Sequence, residues 1–408
     1  MTIAPASSTG RRGVRRVAFY GWIALCFQAF TLADWAIRHY LLHDTVVPMV
    51  GIDFGIFWAA ARVTLEHGAT AVFSAQWMQP IEATVRTSTN YAPLPYPPTF
   101  LVALLPFGLL PFGAAFALFE IIGITAYSAA IAALSRSIDR STIVAIAAFP
   151  GIASAIAAGQ NSLLTVAAAG GALALLGSNP LLAGACVAGL AIKPQFGVLF
   201  PLALTCGRQW RMLIAAAVCS IGFASISAAA LGIHAWTTFA AYLPEFSRIA
   251  LLQGRDHWFG MPTVFATARL AGFSVHGAYA AYALAALPAA IVTAYLWWVD
   301  ARFDLRAAAL VIATLLVQPY MMYYDLAWLA LPIVFLIRDS KVLRLNLWER
   351  VVLGATWLMP IGTMIAAAHQ LPYQMAPVAL IALLGMLIRR HVLAQPARTT
   401  PDVHCEAR

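Results

Sequence analysis

Ala188-Gly189-Leu190-Ala191-Ile192-Lys193-Pro194-Gln195-Phe196-Gly197-Val198-Leu199 is the stretch on which the topology turns. It lies within the apolar region 181–206 and carries a single ammonium near its centre. A charge at membrane depth costs on the order of 2.5–3.5 kcal/mol on insertion scales. Lys193 therefore marks either a function or a side chain that snorkels back to the interface. The proline after it removes a helix hydrogen bond. As one span, 181–206 would put Arg208 and Arg211 outside, against the enrichment of short cytoplasmic loops in Lys and Arg. The run thus reads as two short helices meeting at Lys193-Pro194, a break suited to binding an anion such as a phosphate at the membrane surface.

The rest of the chain is of the same kind. Of its 408 residues, 62% are hydrophobic and 10% charged, where soluble domains carry about 25% charged residues. Apolar runs fall at 17–37, 99–134, 142–158, 162–177, 181–192, 195–206, 212–231, 276–300, 307–318, 322–337, 351–368 and 373–390. Pro106, Gly108, Pro111 and Gly113 punctuate 99–134, which reads as one net crossing with a bent or re-entrant first part. The expectation is an all-α polytopic transmembrane bundle of about 12 spans, a single membrane domain over 1–408. Its outer segments are 38–98 and 232–275, and its polar tail is 391–408. Several runs fall short of the ~20 residues of a straight span. Such helices persist only when buried in protein or lining a wet cavity. The first run, after Arg11, Arg12, Arg15 and Arg16, reads as an uncleaved span.

The net charge of +9 is spread between the apolar runs, so it does not indicate nucleic acid. Seven basic residues fall on the expected outer side: Arg38, Arg62, Arg86, Lys193, Arg248, Arg255 and Arg269. The other 18 of 25 fall inside, which places both termini in the cytoplasm. That orientation puts Asp53, Tyr96-Pro97-Pro98, Gly159-Gln160-Asn161, Lys193-Pro194, His257-Trp258 and 318–325 all on the outer face. Cys26, Cys186, Cys206, Cys219 and Cys405 have neither zinc nor disulfide-framework spacing. No metal or cofactor motif is present.

Asp53 stands in Gly51-Ile52-Asp53-Phe54-Gly55-Ile56-Phe57-Trp58-Ala59-Ala60-Ala61-Arg62. Phe54, Phe57, Trp58 and Ala61 recur at i, i+3, i+4 and i+7, the pattern of an amphipathic helix lying in the membrane interface. Asp53 reads either as a solvated loop acid, paired with Arg62, or as a base whose pKa is raised by an apolar setting. Asp44, Glu66 and Glu82 are competing carboxylates in more polar surroundings. Gly159-Gln160-Asn161 is either a plain turn or a pair of amides facing substrate. His257 and Arg255 read as solvated loop residues or as phosphate ligands. Trp258 is an interfacial anchor or a sugar platform. Gln318-Pro319-Tyr320-Met321-Met322-Tyr323-Tyr324-Asp325 is an aromatic belt or a site segment.

Taken in order, these motifs resemble glycosyltransferase family 87, of the GT-C type, which includes polyprenol-phosphate-mannose-dependent mannosyltransferases. The resemblance spans roughly residues 50–330. It implies sugar transfer on the extracytoplasmic face of the inner (plasma) membrane, with inversion, in cell-envelope synthesis. It implies no cofactor or obligatory metal. The partners would be a polyprenyl-phosphate sugar donor, a lipid or glycan acceptor, and membrane lipids. Asp53 matches the family's catalytic acidic position, as the base, and Lys193, His257 and Arg255 would hold the donor phosphate. Arg62, Tyr96, Gln160, Asn161, Trp258, Gln318 and Tyr320 would contact substrate. The late motif departs from the family: Gln318-Pro319 and Tyr323-Tyr324 stand where Ser-Pro and a Trp-His or His-His pair are usual.

Two other classes compete. A transporter or flippase of lipid-linked sugars should show internal repeats and midplane charges in both halves, and no clear repeat is present. A membrane acyltransferase wants a His deep in a span, whereas His234, His276 and His369 sit at run edges.

Overall fold

A computed structural model describes residues 8–44, 46–86 and 91–394. Residues 1–7 and the tail residues Arg398, Cys405 and Arg408 lie outside them. Among the described residues the chain is helical and without strands.

The first span is α1 (Ser8–Ala36), and the outer segment after it holds α2 (Ile52–His67) and α3 (Ala75–Glu82). Next come α4 (Pro98–Gly108), α5 (Phe112–Leu134), α6 (Arg140–Ala147), α7 (Pro150–Ala158) and α8 (Ser162–Leu175). Then follow α9 (Pro180–Ala188), α10 (Phe200–Cys206), α11 (Trp210–Leu231), α12 (Ile233–Ser247), α13 (Arg255–Trp258) and α14 (Val264–Leu270). The last are α15 (Val275–Trp298), α16 (Phe303–Leu316), α17 (Ala330–Asp339), α18 (Leu347–Ala368) and α19 (Ala376–Leu393). Seven helical stretches among the described residues are long and apolar enough to cross a bilayer, counting α6 and α7 together as Arg140–Ala158. Four more, Pro98–Gly108, Ser162–Leu175, Pro180–Ile192 and Pro194–Cys206, are apolar but shorter.

Burial sorts these helices. Every residue of α16 from Ala307 to Leu316 is buried, as are Ala330–Leu336 of α17. A helix apolar on all sides belongs in the interior, and these two form the bundle's centre, with α16 packed on α15 and α19. Long helices at the rim present one stripe outward, for example Ile214, Val218 and Ile221 of α11, at the spacing of a single helix face. That stripe suits hydrocarbon.

The expected break appears where the charge interrupts the apolar run. Helix α9 ends at Ala188, a 3₁₀ turn covers Gly189–Ile192, and Pro194 opens another. Breaking a helix frees carbonyls that must find donors. Thr99 donates to the Ala191 carbonyl at 2.6 Å, and Gln318 donates to the Gln195 carbonyl at 2.8 Å.

Helix α2 departs from the interfacial expectation. Phe54, Phe57 and Ala61 are buried as the spacing implies, but so are Gly55, Ala59, Ala60, Val63 and Thr64. It is enclosed by α3, α4 and α5 and so stands inside the protein rather than lying on a membrane surface. Its start is docked tightly: Gly51 N–H donates to the Ala157 carbonyl at 2.8 Å. Gly159 follows α7 with φ +71°, and a Cβ there would sit 2.7 Å from Gly51 Cα and Phe54 Cβ. Only glycine satisfies both the left-handed backbone and the close approach.

At the far end of α17 lies a separate ionic knot. Arg390, fully buried, binds Asp339 at 2.7 Å and Glu349 at 3.1 Å, while Arg302 and Arg389 hold the outer sides of the two acids. These basic residues belong to the set that charge counting assigns to the cytoplasm. Asp325 stands in the 3₁₀ turn Tyr323–Leu329 that leads into α17, and Asp339 ends that helix. Removing one partner from a buried pair costs about 3–5 kcal/mol. Arg390→Ala should therefore lower the thermal unfolding midpoint of detergent-solubilised protein; an unchanged midpoint would show that the knot contributes nothing to stability.

Candidate active site

Residues from several of these helices and the turns between them enclose a cavity of about 190 Å³. Six residues expected from the sequence line it: Asp53, Tyr96, Gln160, Lys193, His257 and Tyr320. They come from six separate segments, so chain folding rather than local sequence brings them together. The volume is below the ~300–1,000 Å³ usual for drug-sized ligands and suits one sugar-sized group.

Asp53 sits in the first turn of α2. Its Oδ2 accepts a hydrogen bond from Gln160 Nε2 at 2.9 Å. The Gln160 amide is itself fixed: the Tyr96 hydroxyl donates to Oε1 at 3.0 Å, and Nε2 also donates to the Tyr324 hydroxyl oxygen at 3.1 Å. Asn161, fully buried, lies beside the Tyr96 hydroxyl. The other candidate carboxylates are engaged by cations: Asp44 by Arg38 at 2.5 Å, Glu66 by Arg62 at 2.6 Å, Glu82 by Arg86 at 3.0 Å. Asp53 has no ion pair among the described residues. Burial pushes its carboxyl above the usual range; the Gln160 hydrogen bond and the charges of Arg86 and Lys193 pull it partly back. A carboxylate so placed is a proton acceptor whose strength is raised by its setting.

Lys193 is 4% exposed. Its Nζ meets Asp325 Oδ1 at 2.7 Å, an oxygen that also accepts from the Ser162 hydroxyl at 2.7 Å. The rings of Phe196, Tyr324 and Tyr96 surround the ammonium at 5.1, 5.4 and 5.9 Å, within cation–π range. An ammonium has three donors, and one is given to Asp325.

The remaining expected residues are not brought to the cavity. Arg62 pairs with Glu66 and stacks over Trp58 at 5.7 Å, so it does not neutralise Asp53. Arg255 is exposed and outside the lining. Trp258 is buried, donating to the Leu251 carbonyl at 3.1 Å with Arg269 4.5 Å over its ring. Gln318 uses its amide on the carbonyls of Gln195 and Thr314. In their place the cavity gains Arg86, Gln195, Phe246, Met322 and Tyr324, with Asp325 behind Lys193. Glu82 and Arg86 stand at i, i+4, but α3 ends at Glu82 and a turn separates the two. Nothing local named Asp325 as the partner of Lys193, since 132 residues separate them.

Comparison with known proteins gives the family. The sequence model of glycosyltransferase family 87 matches residues 94–319. The match takes in Tyr96, Gln160, Lys193 and His257 but begins after Asp53, which joins the matched part in space through Gln160. No curated protein and no solved structure matches the chain. With more than half of its length matched, the chain belongs to glycosyltransferase family 87, a GT-C-type family, and is a membrane glycosyltransferase.

Proposed function

We propose that this enzyme moves a mannose-like sugar from a polyprenyl-phosphate donor to an acceptor hydroxyl, at the extracytoplasmic face of the plasma membrane. The donor's tail stays in the bilayer while its sugar enters the cavity. Asp53 takes the proton of the acceptor hydroxyl as that oxygen attacks the anomeric carbon. The bond from that carbon to the phosphate oxygen breaks through an oxocarbenium-like transition state, and polyprenyl phosphate leaves with one more negative charge. One base with no second carboxylate as nucleophile gives inversion. Lys193 stabilises the charge that develops on the leaving phosphate. Gln160 holds the Asp53 carboxylate in one orientation. The observation that carries this reading is that the unpaired acid and the buried ammonium line the same cavity.

Asp53→Asn keeps an acceptor for Gln160 Nε2 but cannot take a proton. It should fold, insert and lose sugar transfer by ~10²-fold or more, the usual worth of a general base. Near-wild-type turnover by the purified variant would remove Asp53 from the mechanism.

The base acts when deprotonated, and burial raises its pKa. Activity should therefore fall as pH drops through a point above the ordinary aspartate value of about 3.9. A kcat/KM profile that stays flat down to about pH 4 would contradict this assignment.

Lys193→Ala should raise the donor KM far more than the acceptor KM, measured in membranes where the variant's folded yield is checked. Equal rises in both would mean that the residue only supports the cavity and does not hold the phosphate.

A further inference from the structure

Arg86 was no more than an outer charge in the sequence, yet it lines the cavity with Asp53 and Lys193. Its side chain is 9% exposed, and Nη1 donates to Glu82 Oε2 at 3.0 Å. That carboxylate oxygen is shared, since it also accepts from Ala92 N–H at 3.0 Å. The buried Nε of Arg86 has no hydrogen-bond partner among the described residues. Leaving a buried donor unmatched costs about 1–3 kcal/mol, more for a charged group, so this Nε is a donor in reserve on a residue that lines the cavity.

The position of the guanidinium is built, not accidental. Its stem lies on Gly55, two residues beyond Asp53: a Cβ on Gly55 would meet Arg86 Cγ at 2.9 Å and Cδ at 3.2 Å. Gly55 lies inside a helix, where glycine costs up to about 1 kcal/mol relative to alanine. The absence of a side chain there makes room for the arginine beside the acid.

Charge balance sets what an anionic ligand needs here. Lys193 is matched by Asp325 and Arg86 by Glu82, so with Asp53 ionised these five groups sum to one negative charge. A phosphate that gains charge on leaving would meet repulsion from Asp53 unless directional donors face it. A guanidinium presents five N–H groups in a planar fork that fits phosphate oxygens two at a time.

We propose that Arg86 is a phosphate ligand of this cavity, taking the donor's phosphate together with Lys193. The assignment rests on the polyprenyl-phosphate reading above. Glu82 holds the guanidinium in place while the cavity is empty, and Nε with the neighbouring nitrogen supplies the fork when the phosphate arrives.

The test is equilibrium binding of sugar-free polyprenyl phosphate, with the matching uncharged polyprenol as control. It uses full-length protein in nanodiscs carrying Asp53→Asn, which removes the like charge of the acid from the cavity. Adding Arg86→Gln should weaken phosphate binding by about ten-fold or more, as expected for one charged hydrogen-bonding contact, with polyprenol binding unchanged. Arg86→Lys keeps the charge and the pairing with Glu82 but loses the fork, and should weaken binding several-fold. It decides the matter if Arg86→Gln does not fold. Tight phosphate binding in Arg86→Lys and in any folded Arg86→Gln protein would overturn the role of Arg86 alone. Failure of the Asp53→Asn parent to prefer polyprenyl phosphate over polyprenol would instead overturn the donor reading.

Discussion

The pairing of Lys193 with Asp325 is the contact on which the cavity end of the molecule depends. An ammonium 4% exposed can remain charged there only against a partner. Asp325 supplies it at 2.7 Å, and the same carboxylate ties in Ser162 at the start of α8 and the Met322 N–H before α17. One ion pair thus joins the break after α9, the Gly159-Gln160-Asn161 turn and the entry to the central helix. The geometry of the cavity follows. With Ser162 held, Gln160 two residues earlier stands where it can reach Asp53. With the 3₁₀ turn Tyr323–Leu329 held, the Tyr324 hydroxyl accepts from the same amide.

The cavity is arranged so that its acid and its cations are handled differently. Lys193 and Arg86 each have a carboxylate partner, which fixes them before substrate arrives, while Asp53 has only an amide. Preorganised donors are worth most in transition states when they need not reorganise, and a base must keep a free lone pair to act. A second knot around Arg390 locks the other end of α17 to α18 and α19. The central helix is therefore pinned by buried charge at both ends.

Much of this was legible in the sequence, and the omissions have physical reasons. The Lys193-Pro194 break could be read because a charge followed by a proline, alone in an apolar run, can scarcely be carried through a continuous span. Helix α2 was misplaced because its i, i+3, i+4, i+7 pattern is also met by a helix enclosed by protein along most of its length; Ala59 and Ala60, both buried, were the warning. Arg62 follows Asp53 by nine residues, which at about 100° per residue places it on the opposite face, so the pair expected between them could not form. Arg255 and Trp258 are near His257 in sequence, yet only His257 reaches the cavity, because consecutive residues of a short helix point different ways. Asp325 was read only as the end of a candidate segment and Arg86 only as an outer charge, because what brings each to the cavity is the folding together of distant segments, which no local pattern encodes.

The most direct measurement is a structure of the enzyme with a non-transferable analogue of a polyprenyl-phosphate sugar. The account predicts the phosphate against Lys193 and the anomeric carbon facing Asp53, with room between them for one acceptor oxygen about 3 Å from each of carbon and carboxylate. A sugar seated in another part of the fold, or a phosphate held away from Lys193 with Asp53 still bonded to Gln160 and sealed from it, would contradict the account.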